Sequence, residues 1–197
     1  MILLSQYMLI FASVLLLVAL GGCFSERSGV INIGLEGIMV FGALGGALTM
    51  RYLPENASAI VIIFSTVGMS MLVGAVYSLL LAVAAINFKA DQTLVGTAMN
   101  LLGTAAATVM VKAINTAANP DDVSSTVQYV NAKKAFIVEL GGFEFNWFML
   151  IALLMLIVSY VLLYKTKFGL RLMACGEHPQ AADSVGINVY KMRYAGV

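Results

Sequence analysis

The sequence is poor in the residues that carry chemistry. Among 197 residues there is one histidine, there are two cysteines, and charged side chains make up only 11%. With His178 as the sole imidazole, no His/Cys cluster with metal-ligand spacing can be drawn. No Ser/His/Asp or Cys/His catalytic arrangement can be assembled around it either. The phosphate-cradling pattern G-x-x-x-x-G-K-[ST] is missing, so ATP is not held by a P-loop in this chain. Catalytic residues, a metal and a cofactor are therefore not expected. The formal net charge is +1 and no basic cluster interleaves with aromatics, which argues against a nucleic-acid partner. Cys23 falls in an apolar run and Cys175 in a basic segment, so no disulfide is expected between them.

What the chain has in quantity is hydrocarbon. Hydrophobic residues make up 61% of it, and the few charges are confined to short stretches. That pattern belongs to an all-α, polytopic helical membrane protein rather than to a soluble domain with a large core. A helix must supply about 20 apolar residues to cross about 30 Å of hydrocarbon. Five stretches approach that length: Ile2–Phe24, Ile33–Met50, Ala59–Phe88, Leu94–Val111 and Trp147–Tyr164. The third is longer than needed, so it is tilted or extends past the bilayer. The second is short and rich in glycine, and is expected to be broken or to cross incompletely. Trp147, Tyr160 and Tyr164 stand near the ends of the fifth, where interfacial aromatics belong. Leu20–Cys23 looks like a lipoprotein cleavage site, but the first 22 residues contain no Lys or Arg. A first membrane helix is favoured over a cleaved signal.

Residues 1–164 are accordingly read as a transmembrane bundle carrying an external loop, 112–146, and residues 165–197 as a cytoplasmic segment and the start of a further helix. The largest Lys/Arg excess lies in Lys165–Arg193, which the positive-inside rule places in the cytoplasm. Strict alternation then puts Ser25–Asn32 and Phe88–Thr93 inside as well, with Arg51–Ser58 outside. Within the external loop, Ala135–Leu140 and Phe143–Trp147 flank Gly141 and Gly142 and predict a small hairpin. In the basic segment Pro179 can open a short helix and Gly186 can close it. So short a helix is marginal in water and needs something to dock on, which points to a soluble partner.

A few polar groups lie inside the apolar runs. Glu36 is the one charge well within them, and its burial costs a few kcal/mol, so it should face the bundle interior or water. Asn32, four residues earlier, shares its face if the segment is helical. Gly29, Gly34 and Gly37 surround the pair, and glycines beside a carboxylate at a helix start suggest a discontinuous helix lining a pathway. The alternative is that Glu36 caps a helix or pairs with Arg27. Asn100 can hydrogen-bond across helices or to a substrate, the helix-crossing role being favoured, and it joins Asn32 and Glu36 as a candidate pathway residue. Asp91 suits a helix N-cap. Gly42 and Gly46 form a GxxxG step for close helix packing.

Three segments together resemble one family. Phe24–Met39 (FSERSGVINIGLEGIM) is similar to the signature after the first helix in permeases of bacterial nucleoside and simple-sugar ABC importers. Gly169–Asn188 (GLRLMACGEHPQAADSVGIN) resembles their cytoplasmic coupling loop, and Ala90–Leu102 (ADQTLVGTAMNLL) also looks like that group. The wider family includes permeases for branched-chain amino acids, ribose and related sugars. The resemblance implies a nucleoside permease in the bacterial cytoplasmic membrane, with a simple-sugar permease or a non-transporting scaffold subunit as the alternatives. It also implies an ABC ATPase subunit, a second permease subunit and an extracytoplasmic substrate-binding lipoprotein as partners. Gly176, Glu177, Pro179, Ala182, Asp183 and Gly186 would then couple ATPase closure to the membrane helices. Family members continue through further helices, so the chain is expected to be an N-terminal portion.

Overall fold

The computed structural model describes residues 2–54, 57–127, 137–140 and 143–197. Four long helices build the bundle's frame: α1 (Ile2–Arg27), α3 (Ala59–Ala82), α4 (Gln92–Ala118) and α5 (Trp147–Lys165). Among the described residues these four, α3 counted with its extension to Asn87, are the ones long and apolar enough to cross a membrane. The fifth expected span is α2 (Leu35–Tyr52), which carries Glu36 and Arg51 and five glycine or threonine positions along its 18 residues. At 1.5 Å per residue it is about 27 Å long. It is preceded by the non-helical residues 30–34, which can add up to about 3.3 Å each. The break expected in this region therefore sits before α2 rather than within it.

The excess length of the third segment resolves locally. Its last residues, Val83–Asn87, wind into a π-helical turn, and Lys89 follows in the left-handed region at φ 51°. Asp91 then caps α4, its Oδ1 accepting from the backbone N–H groups of Thr93 at 2.8 Å and Leu94 at 3.2 Å. The strands β1 (Ile137–Leu140) and β2 (Phe143–Asn146) pair antiparallel with Leu140 opposite Phe143. Gly141 and Gly142 themselves, with Lys133, Lys134 and Ala135, lie outside the described residues. Asn146 ends the hairpin and caps α5 through a 3.0 Å bond from the Phe148 N–H.

The basic C-terminal segment, expected to hold one short helix and the start of a further one, contains an additional helix before them. It contains α6 (Lys167–Glu177), α7 (Pro179–Ser184) and α8 (Val189–Gly196). Thr166 starts α6 by accepting from the Gly169 N–H, and Leu172 and Cys175 are fully buried one turn apart. That spacing gives α6 an apolar stripe to lay on the bundle, and burial pushes the Cys175 thiol up from its ordinary pKa. Cys23 and Cys175 are both free thiols.

Packing between α2 and its neighbours depends on small residues. Gly42 lies against the Ser70 carbonyl, Gly45 against Val73, and Gly46 against Ser70 and Thr66, all on α3. On the α4 side, a Cβ on Gly37 would come within 2.6 Å of the Met99 carbonyl oxygen, and one on Gly103 within 2.8 Å of the Gly37 Cα. Backbones this close gain dispersion contacts that lipid cannot supply. The main core joins Val30, Tyr77, Leu81, Ala82, Ile86 and Met99, where the non-helical stretch meets α3 and α4. Phe41 stacks on Tyr77 with ring centroids 4.2 Å apart, and the Tyr77 hydroxyl donates to the Met99 carbonyl at 2.7 Å.

Candidate functional site

The break before α2 is backbone held by side chains from other parts of the chain. A non-helical stretch within a membrane bundle exposes N–H and C=O groups that lipid cannot satisfy, so protein groups must do it. Side chains perform that task here. The Ser25 hydroxyl donates to the Val30 carbonyl at 2.8 Å, and Gln92 Oε1 accepts from the Ile31 N–H at 2.6 Å. Asn100 Nδ2 donates to the Ile33 carbonyl at 2.9 Å, while its Oδ1 accepts from the Gly37 N–H at 2.8 Å. The residue preceding α2 is Gly34, which has no side chain with which to cap it. Asn100 therefore acts as an N-cap supplied from another helix, reaching the third N–H of α2.

Asn32 and Glu36 do not share a face. Helical spacing fails between them because Asn32 lies in the non-helical stretch and Glu36 in the first turn of α2. Asn32 is only 9% exposed, and its Oδ1 is buried without a hydrogen-bond partner; Glu36 is exposed. Arg27 is turned elsewhere. Its guanidinium lies 6.0 Å from the Tyr164 ring centroid and donates to the Tyr164 hydroxyl at 3.2 Å. Glu36 occupies the end of α2 where the helix dipole favours a carboxylate.

The second constellation is the C-terminal arm. Pro179 stands at the first position of α7, and Gly186 follows its end at φ 82°. The Gly186 N–H donates to the Asp183 carbonyl at 2.9 Å and the Ile187 N–H to the Ala182 carbonyl at 3.1 Å, the paired bonds of a Schellman ending. Ala182 is 4% exposed and faces the chain's own helices. Glu177, Asp183 and Val185 face outward, Val185 at 74% exposure. The outward surface of α7 is thus built around Ala182 rather than from it.

The two constellations touch through glycine. A Cβ on Gly176 would run into the Arg27 carbonyl oxygen, and one on Gly196 into Ser28. Gly29, at φ 84°, packs with its would-be Cβ 3.0 Å from the Gly176 Cα. Ser25 and Ser28 are fully buried beneath these contacts. Tyr194 on α8 also donates to Asn87 at the end of the π-helical turn, at 3.0 Å. Ser25–Asn32, Phe88–Thr93 and the arm therefore gather at one end of the bundle. At the opposite end Arg51 donates to Asn115, whose amide holds Ser124 and Thr126.

Sequence reasoning missed Gln92 and Ser25 as partners of the break, and Tyr77 as the clasp on Met99. Gln92 and Ser25 both lie inside segments singled out by resemblance, but their targets are non-helical backbone that no periodicity predicts.

A bundle of lipid-length helices with a non-helical entry to α2 and a docked terminal arm defines a polytopic helical membrane protein. Residues 4–197 match the model of the family described as branched-chain amino acid transport system / permease component, and the chain belongs to that family. It is 42% identical over 193 residues to the guanosine ABC transporter permease protein NupQ of Bacillus subtilis, covering 96% of this chain and 60% of NupQ. It is 36% identical over 198 residues to the nucleoside ABC transporter permease protein NupC of Lactococcus lactis, covering 96% of this chain and 61% of NupC. The chain thus spans about three-fifths of the length of these relatives. No solved structure matches it significantly.

Proposed function

We propose that the chain is part of the membrane subunit of an ATP-driven nucleoside importer in a bacterial cytoplasmic membrane. The observation that carries this reading is similarity over 96% of the chain to two permeases named for guanosine and for nucleosides. In this reading the interrupted entry to α2 lies on the substrate route. Asn32 and Glu36 offer it polar groups, and Asn100 positions the backbone between them. A carboxylate can accept two hydrogen bonds from a ribose diol, which suits a nucleoside or a sugar. Contacts in the membrane need only be weak, because release must follow quickly.

ATP hydrolysis belongs to a separate ABC ATPase. α7 docks on it, with Glu177, Asp183 and Val185 presented outward, while Gly176, Pro179, Ala182 and Gly186 shape and seat the helix. Because Gly176 and Gly196 pack directly on Arg27 and Ser28, a displacement of the arm presses on the entry to the break. A second permease subunit and an extracytoplasmic substrate-binding lipoprotein complete the assembly. Uptake of radiolabelled nucleosides by cells lacking the gene tests the reading. Lost nucleoside uptake that the gene restores supports it. Normal nucleoside uptake with lost ribose or galactose uptake moves the substrate to a simple sugar, and no transport defect leaves a scaffold role.

A further inference from the structure

A cleft of about 550 Å³ opens between the turn joining α3 to α4 and the C-terminal arm, beside the break before α2. Its volume is that of a small-molecule site. Lys89 and Gln92 enter it from the α3–α4 turn, and Gln180, Asp183, Tyr190 and Arg193 from the arm. Two cations against one carboxylate leave it one positive charge in excess.

The fold presents both cations to the cleft. Lys89 is set by a left-handed backbone at φ 51°, a conformation that lysine adopts at a cost. Arg193 Nε is buried and has no hydrogen-bond partner, so its desolvation is not offset within the chain. One face of that guanidinium packs on the α1–α2 junction, where Nη2 would lie 3.4 Å from a Cβ on Gly29. Gln92 Oε1 is engaged by the Ile31 N–H, which leaves its amide as a donor only. Lys89, Arg193, the Gln92 amide and the Tyr190 hydroxyl thus line one cleft with donors. Donors and excess positive charge converging from two elements suit a multivalent oxyanion.

We propose that this cleft binds a phosphate-bearing anion that bridges Lys89 and Arg193. So placed, the anion ties the arm to the α3–α4 turn and restrains α7. This proposal does not depend on what the protein transports.

The test uses the whole purified protein in nanodiscs with two probes. Inorganic pyrophosphate is titrated into discs of neutral phosphatidylcholine while the melting temperature is followed. Retention of phosphatidylglycerol from mixed discs is measured separately by native mass spectrometry. Binding of pyrophosphate identifies a free phosphate as ligand, and retention of phosphatidylglycerol alone identifies a lipid headgroup. Lys89→Asn should weaken either response about tenfold or more, as loss of a charge-assisted contact does. Lys165→Gln, at the end of α5 and outside the cleft's lining, should leave it unchanged. Lys89 is exposed and Asn tolerates its backbone, so this variant folds even if Arg193→Gln does not. Neither probe binding, or equal binding by wild type and Lys89→Asn, overturns the proposal.

Discussion

Replacing Asn100 with alanine removes two hydrogen bonds at once, the 2.8 Å cap on Gly37 and the 2.9 Å bond to the Ile33 carbonyl. In water-soluble proteins a stranded backbone group costs about 1–3 kcal/mol. Within a bilayer the unfolded reference also finds partners, and side-chain bonds between helices average about 0.6 kcal/mol. The bilayer figure applies here because Asn100 joins two packed helices and is half-buried. Two bonds then give a loss of about 1–2 kcal/mol, a factor of about 5–30 in the folded-to-unfolded ratio. Gln92→Ala, which removes one bond to the same stretch, should cost roughly half as much. Unfolding of the purified protein in a denaturing detergent titration reads both losses. The fraction that remains folded should transport with an unchanged KM, since Asn100 acts on backbone rather than on substrate. Wild-type stability in Asn100→Ala would refute the capping argument, and a raised KM would place the amide on the route itself.

Glu36→Gln should cost less than about 1 kcal/mol, the scale of a carboxylate at a helix N-terminus, yet lower the maximal uptake rate several-fold. Lost insertion or assembly instead would make Glu36 architectural. Gly176→Ala should destabilise by about 1–3 kcal/mol in thermal melts, because its methyl group meets the Arg27 backbone rather than a movable side chain; an unchanged melting temperature would contradict the close packing of arm and break. At the opposite end, hydrogen bonds from the Ser124 hydroxyl and N–H hold the Asp122 carboxyl below its ordinary value of 3.8. A lowered folded-state pKa contributes stability that is present above the ordinary value and is lost as pH falls through the lowered one. Hydrogen-exchange protection at Asn119–Ser124, taken relative to the intrinsic rate at each pH, should therefore fall on acidification below that ordinary value, and Ser124→Ala should move the midpoint upward; a midpoint that does not move removes the assigned cause.

The long helices were legible because bilayer thickness imposes their length whatever the side chains are. Asp91, Pro179 and Gly186 were legible for a local reason: each satisfies or terminates backbone within a few residues of itself. The non-helical stretch was less so. Its glycines announce an interruption, but Asn32 and Glu36 can be assigned a common face only on helical geometry, and that geometry is replaced by bonds to Gln92 and Asn100 more than sixty positions away. The same limit affected α6. Its basic residues dominate the composition of the segment, while the stripe formed by Leu172 and Cys175 is short enough to be hidden in it. Ala182 was correctly placed on the short helix, yet only the packed structure turns it inward and leaves Val185 outward.

The central claim is that an outward arm links ATP hydrolysis in another subunit to passage through this one. Its most direct test measures both activities in one preparation. The whole protein is reconstituted in proteoliposomes with the proposed ATPase, second permease subunit and substrate-binding lipoprotein, as wild type and as Val185→Glu. ATP hydrolysis and accumulation of labelled nucleoside are then followed together. Wild type should accumulate nucleoside only with ATP, and Val185→Glu should keep hydrolysing while accumulation fails. Accumulation without ATP, or equal accumulation by the two proteins, would contradict the account.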